Sequence, residues 1–415
     1  MKTLFALIAL LASTTFAQEQ TFPLSGVIAA REVSVTSQPS WLNGGFGRLD
    51  YGAAASSERR QLTLGVAQLG LDWRPSRYFD IHVQGVGRRD QSGSKGDSIG
   101  VPEAYADVRA FFGSNQLQLR AGELFLPTSR ENKESLWTSP YTITLSALNT
   151  WIGEEVRPVG ADLEWRHTFG GGSSVTLAGT AFQGNDTMGA LLAWRGWSMG
   201  NRLGVYGEVV PLPPLFSLRD PSLLGHQRSD GTVPIGPNLN GRTGFSGRVR
   251  WSLPERAIIQ VARVDNRGDR ELYRDQYSWH TRFTIYSAEL HPTAATTVAA
   301  EHAGGSTGMG FVTSRGFVQS GFNTSYFLVS QKFSRMRLSA RYDTFGMSEL
   351  DHSAAENNSE HGHAWTIAVF YEPDLHSRTG VEYVNLSSAR LAAAQSGFDP
   401  NTNAKSIILE YRYKF

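Results

Sequence analysis

Residues 406–415 read Ser-Ile-Ile-Leu-Glu-Tyr-Arg-Tyr-Lys-Phe, and the order of their side chains decides the fold. Ile407, Leu409, Tyr411, Tyr413 and Phe415 fall on one side of an extended chain, and Glu410, Arg412 and Lys414 fall on the other. A helix cannot sort these residues onto two faces, whereas a strand, with its period of two, does so. One face then suits lipid and interfacial aromatic rings, and the other suits water. The pattern recurs upstream. Glu103, Tyr105, Asp107 and Arg109 alternate with Ala104, Ala106, Val108 and Ala110; Asp162, Glu164 and Arg166 alternate with Leu163, Trp165 and His167. Arg248 and Arg250 alternate with Val249 and Trp251, and Arg335, Arg337, Ser339, Arg341 and Asp343 alternate with Met336, Leu338, Ala340 and Tyr342.

Composition agrees with strands half exposed to lipid. Of 415 residues, 40% are hydrophobic, too few for a bundle of spanning helices but enough where only every second residue meets lipid. The absence of Cys excludes a disulfide framework and a Cys-based metal site. A formal net charge of +1 provides no field to attract nucleic acid, which is not expected as a partner. Lys2, the apolar run Leu4 to Leu11 and the small-residue site Thr15-Phe16-Ala17 predict a secretory signal peptide over 1–17, with export by the Sec route. No Cys follows the apolar run, so no lipid anchor is expected. After Ala17 no window approaches the roughly 18 uninterrupted apolar residues of a spanning helix.

The expected fold is therefore all-β: an antiparallel up-and-down transmembrane β-barrel over 18–415. Eighteen strands are predicted, near 43–51, 61–73, 78–88, 102–112, 115–124, 155–167, 173–183, 188–197, 202–210, 242–253, 257–265, 279–290, 294–304, 321–332, 336–345, 364–372, 376–386 and 405–415. Short links such as Gly113-Ser114 and His291-Pro292-Thr293 alternate with long ones, as periplasmic turns alternate with external loops in outer-membrane barrels. The link 184–187 breaks the rule, being short where a long one belongs. Sixteen strands is the alternative, with the weak hairpin around Met199 as a loop excursion. Leu24 to Val35 also alternates and competes for the place of the first strand.

The closing strand, ending in Tyr411, Tyr413 and Phe415, resembles that of Gram-negative outer-membrane proteins, in which a terminal aromatic residue is read by the barrel-assembly machinery. With its length and loop order, the chain resembles the outer-membrane porins of sixteen or eighteen strands, and distantly the phosphate-selective porins. In porins the third external loop folds inward and narrows the pore. The resemblance implies this role for the link 125–154, with Arg130, Glu131, Lys133 and Glu134 at the eyelet and Trp137, Tyr141 and Trp151 holding the loop to the wall. Opposing wall candidates on inward faces are Asp107, Arg109, Arg120, Asp162, Glu164, Arg166, Arg248, Arg250, Arg337, Arg341 and Arg412. Facing rows of charge across a narrow aqueous gap select solutes by charge and dipole. The dense lysine and arginine ladder that phosphate selectivity requires is absent, so that substrate is not carried over. The resemblance also implies a homotrimer set in outer-membrane lipid.

Competing motifs are weak. Gly305, Gly308 and Gly310 lack the following helix and Lys of a phosphate-cradling loop. Arg267-Gly268-Asp269 is an adhesion-like tripeptide of a kind that occurs by chance, and His352, His361 and His363 share one loop with nothing to fix metal-ligand geometry. No Gly-x-Ser-x-Gly elbow appears, and His167, the one His placed on an outward strand face, falls at the end away from external lipid. The expected function is passive diffusion of small hydrophilic solutes or ions through a water-filled channel in the Gram-negative outer membrane, without cofactor, metal or catalysis. The alternatives are a barrel enzyme acting on envelope lipids and a structural or adhesive barrel.

Overall fold

The computed structural model describes residues 21–415 except 56–57, 221–222, 224–226, 313–315 and 352–355, so the predicted signal peptide and His352 lie outside the described residues. Sixteen antiparallel strands close one barrel. In chain order they are β1 Leu24–Thr36, β2 Arg59–Ser76, β3 Phe79–Arg89, β4 Ile99–Phe112, β5 Asn115–Glu123, β6 Val159–Thr168, β7 Ser174–Gln183 and β8 Gly244–Leu253. They continue as β9 Ala257–Asp265, β10 His280–Thr293, β11 Thr296–Gly310, β12 Phe317–Phe333, β13 Met336–Glu349, β14 Glu360–Tyr371, β15 Ser377–Arg390 and β16 Asn401–Lys414. Each strand pairs with its neighbour in sequence, and β1 closes on β16 from Val27 opposite Lys414 to Thr36 opposite Lys405.

One end carries short turns between strands. The other carries eight links: L1 (37–58), L2 (90–98), L3 (124–158), L4 (184–243), L5 (266–279), L6 (311–316), L7 (350–359) and L8 (391–400). These are called the turn end and the loop end. Outward faces are apolar in a continuous band: Ile28, Leu69, Leu163, Val249, Ile259, Phe327, Leu338, Ile367 and Leu409 are all exposed. An apolar surface of that extent needs lipid around it. In the closing strand Tyr411 and Tyr413 face out, while Glu410 is 1% exposed inside.

The count is sixteen rather than eighteen. The predicted strand 43–51 is not one; the first strand is Leu24–Thr36, with Ile28 facing out and Val33 and Val35 fully buried inside. The predicted strands 188–197 and 202–210 belong to L4. Ala190–Arg195 is instead a short helix flanked by Gly189 and Gly196 at φ 96° and 85°. Ala190 to Trp194 are five consecutive apolar residues, all fully buried. A run without alternation cannot offer lipid to one side and water to the other, so it is buried on all sides within the lumen.

The seam between first and last strands depends on a close approach. The Gly26 N–H donates to the Phe415 carbonyl at 2.8 Å, and Phe415 N–H returns the bond to Gly26 at 3.1 Å. A β-carbon at Gly26 would run into the Phe415 ring. Gly26→Val should therefore cost about 1–3 kcal/mol of barrel stability by overpacking. The check is a lower thermal midpoint of the heat-modifiable band on unboiled gels; an unchanged midpoint would contradict the seam geometry.

Candidate functional site

The interior has two layers. Toward the turn end the inward residues are charged or polar, as with Arg120, Asp162, Arg248, Gln260, Glu289, Glu301, Arg341, Glu382 and Glu410. Toward the loop end they are apolar: Val33, Val35, Val264, Phe283, Phe322, Phe345, Met347 and Leu386 all join one buried cluster. The sequence reading expected a wet lumen throughout; the structure fills the loop-end half with packed side chains from L1, L3 and L4.

L3 spans both layers. Its charged tract meets the polar belt. Glu131 is fully buried, bonds the Arg341 guanidinium, and accepts from Ser146 N and Asn149 Nδ2 at 3.0 Å each. Arg341 also reaches Asp343 at 2.8 Å and the Thr144 carbonyl at 2.8 Å. Lys133 pairs with Glu289, and Glu134 with Arg412 at 2.9 Å and Lys414 at 2.7 Å. Arg130 donates its backbone N–H to Glu301 at 3.1 Å. Further along, L3 forms helix α1, Ala147–Glu155, capped by the Ser146 hydroxyl, which accepts from Asn149 N at 3.2 Å. From α1, Trp151 enters the apolar layer. Its ring lies 4.9 Å from Phe283, 5.3 Å from Phe322 and 5.9 Å from Trp197.

The other predicted wall residues fall on inward faces, and several pair across strands. Arg248 makes a two-pronged contact with Asp162 at 3.0 and 3.1 Å and reaches Glu164 at 3.4 Å; Arg120 joins the same Asp162 at 2.7 Å. Arg109 bonds Asp107 and Asp80, the latter at 2.9 Å. Arg250 donates to the Pro127 carbonyl of L3 at 2.9 Å. Arg337 meets Glu372 at 3.4 Å, and its guanidinium lies 5.7 Å from the Tyr141 ring. Tyr141 thus packs on the wall, beside Tyr326 and Leu328. Trp137 instead stacks at 4.1 Å on Phe125 of its own loop, and Arg157 lies 3.3 Å above the same Phe125 ring. Arg166 lies exposed at the turn end, apart from the belt.

L4 and L1 were missed as lumen elements. Helix α2 of L4, Ala190–Arg195, docks on α1: Glu155 accepts from Leu191 N at 2.9 Å and from Trp151 Nε1 at 2.6 Å, and Glu154 pairs with Arg195 at 2.7 Å. The C-terminal carbonyls of α2 are met by cations, as a helix dipole favours. Arg390 bonds the Ala193 and Trp194 carbonyls, and Arg48 of L1 bonds that of Arg195. The signal for this lay in the anomalous 184–187 link and the unbroken apolar run after it.

Small cavities lie along the wall of β16, β1, β2 and β3. Two adjoining ones, of about 50 and 40 Å³, share Arg31, Val66, Gln68, Ile143 and Asn201. The first reaches Asp90 and Arg202 near the loop end; the second reaches Val27, Arg378 and Arg412 near the turn end. Glu410 anchors two of the arginines, accepting from Arg31 at 2.8 Å and Arg378 at 2.7 Å. Burial raises the Asp50 carboxyl of L1 above its ordinary range, against the opposing pull of Arg202.

No family model matches the chain, and no curated protein matches it. Solved structures do resemble it. OmpF of Salmonella typhi in complex with daunomycin superposes with a TM-score of 0.55 at 10% identity, covering 95% of this chain and 97% of that one. The outer-membrane channel DcaP of Acinetobacter baumannii gives 0.53 at 10% identity, with coverage of 95% and 97%. OmpT, an outer-membrane protein of Vibrio cholerae, gives 0.51 at 7% identity, covering 96% and 99%. The chain has the fold of outer-membrane porins.

Two outcomes follow for the plug. Glu131→Gln leaves Arg341 buried with a weakened partner, and should destabilise the barrel by about 3–5 kcal/mol, read as a lower thermal midpoint. Burial raises Glu154 and Glu155, both in L3, to about 7 from an ordinary 4.5. A raised carboxyl favours the folded state when protonated, so its contribution is complete below 4.5 and is lost as pH climbs through about 7. Proteolytic cleavage within L4 should therefore be faster at pH 8.5 than at pH 5, about tenfold or more, and Glu154→Gln/Glu155→Gln should flatten that difference.

Proposed function

We propose that this protein is an outer-membrane channel of a Gram-negative bacterium, exported through the Sec route, that admits small hydrophilic solutes through one narrow passage and favours anions. The observation that carries the reading is the line of small cavities beside β16, β1, β2 and β3. Their walls bring Arg31, Arg88, Arg202, Arg378 and Arg412 against Asp50, Asp90 and Glu410. Arg88 and Arg202 share Glu208, and Arg412 pairs with Glu134, so the anion preference rests on Asp50, which its raised pKa makes the more readily neutralised. A low-dielectric wall focuses the positive charge left by that neutralisation on a passing solute.

The predicted eyelet residues Arg130, Glu131, Lys133 and Glu134 work in this reading by holding L3 in place, which makes the passage narrow. Homotrimer formation and handling of Tyr411, Tyr413 and Phe415 by the barrel-assembly machinery belong to the same reading. A channel is favoured over catalysis because two outward histidines are engaged: His167 with Asn115 Oδ1 at 3.0 Å and edge-on against Phe169, and His302 with Ser325 Oγ at 2.8 Å.

The test is single-channel recording of the purified protein in planar bilayers, with a reversal potential across a KCl gradient. Small ohmic steps with anion preference are expected, and Arg378→Gln/Arg412→Gln should move the reversal potential toward the cation side by about half or more of its displacement from zero. Cation preference in the unmodified protein would reject the anion assignment. Electrical silence with lipid hydrolysis in detergent would replace the channel by an enzyme.

A further inference from the structure

Charge on the lipid-facing side of a barrel is costly near the bilayer midplane and tolerated only close to the headgroups. The outward faces of β9 and β10 are apolar from Ile259 and Leu290 as far as Val261 and Tyr286, all exposed. Tyr286 stacks on His302 of β11 at 6.4 Å, an aromatic pair of the kind that marks the membrane interface. In register Val261 faces Tyr286, Arg263 faces Thr284, and Asp265 faces Arg282. Arg263 and Arg282 are both exposed and stand just past that aromatic level toward the loop end.

L5 adds two more arginines to this corner. The Arg267 guanidinium lies 5.7 Å from the outward Phe245 ring. The Arg270 carbonyl accepts from Gly310 N at 2.9 Å, which lays L5 over the end of β11. Burial lowers the Arg270 pKa, and the Arg282 charge lowers it further. Among the described residues none of the four arginines has a carboxylate within ion-pair distance. Arg263 donates to Thr284 Oγ1 at 3.0 Å and Arg282 to Ser306 Oγ at 3.5 Å. The nearby acids have other partners: Asp265 meets His280 at 3.0 Å and Arg267 N at 2.8 Å, and Asp269 meets the Tyr273 hydroxyl at 2.7 Å and Arg242 at 3.9 Å. Glu271 and Asp275 stand at the small ribbon that tips L5.

Beside the arginines the outward barrel surface carries only small side chains. The outward positions of β11 and β12 here are Gly304, Ser306 and Gly321, bordered by Asn323. A β-carbon added at Gly304 or Gly321 would meet nothing closer than 3.6 Å. This face lies on the lipid side of the barrel, just past the Tyr286–His302 aromatic level, where a membrane lipid is the expected occupant. Guanidinium forks match phosphate oxygens in pairs, and neutral Ser and Asn side chains suit sugar hydroxyls.

We propose that Arg263, Arg267, Arg270 and Arg282, with the adjoining small-residue face of β11 and β12, bind the phosphorylated sugar headgroup of an outer-leaflet lipid.

The test titrates the full mature barrel in nanodiscs with diphosphoryl lipid A, with the same lipid after phosphate removal, and with phosphatidylcholine, counting bound lipid by native mass spectrometry. Preference for the diphosphoryl form is expected, with at least about tenfold weaker binding after phosphate removal and a comparable loss in Arg263→Gln/Arg282→Gln. Both substitutions lie outside the passage, so single-channel conductance of the variant should be unchanged and serves as the check that it folds. Equal binding of the phosphorylated and dephosphorylated lipids overturns the proposal. So does undiminished binding by a conducting variant, or saturation of the same site by inorganic phosphate, which would make it a site for a soluble anion. None of these results bears on whether the barrel conducts.

Discussion

A loop that runs irregularly through the inside of a barrel must find partners for every peptide group it buries, and this requirement organises the whole interior. L3 meets it with carboxylates. Glu382 accepts from Ile143 N at 2.5 Å and Thr144 N at 2.8 Å, Asp343 from Ala147 N at 3.3 Å, and Glu301 from Arg130 N at 3.1 Å. An unpaired amide in such a place would cost about 1–3 kcal/mol, so these acids are structural necessities before they are anything else. Their charges then need cations, and Arg341 supplies one at the centre of the network. The polar belt of the lumen is thus the partner set of a buried backbone, and its charge pattern follows from that.

The second layer follows from the first. Once L3 is held across the lumen, α1 presents Trp151 to the loop end, and the inward strand residues there have no water to face. They are Phe283, Phe322, Phe345 and Met347, and they close over Trp151 with L4 above. A porin-sized cylinder therefore encloses a small packed domain in one half and a charged mesh in the other. The small cavities lie to one side, against β16, β1, β2 and β3. On the proposed channel reading, the few side chains of that wall would set selectivity.

The cylinder was legible in the sequence because lipid imposes a period of two wherever a strand crosses it. The strands from β2 to β7 and from β8 to β16 stand close to where alternation put them, and the inward placement of Arg248, Arg337 and Arg341 came with it. The filling was less legible. Trp41 and Leu49 of L1 and Trp194 and Trp197 of L4 are buried by contacts between segments far apart in the chain, and no local period announces that. A run such as Ala190 to Trp194 resembles a buried strand as much as a buried helix when read alone. The cavity wall was illegible for a related reason: Arg31, Arg378 and Arg412 come together only because the first strand pairs with the last.

That pairing has a consequence for how the molecule is made. Gly26 and Phe415, like Val27 and Lys414, pair across nearly the whole described chain, so the seam carries a large loop-closure cost. L3 and L4 both leave and rejoin the ring at its loop end and fill it from that mouth. On the channel reading, the conduit is the cleft left between that stopper and the final stave. Its bore is decided by how tightly the two ends of the polypeptide are drawn together.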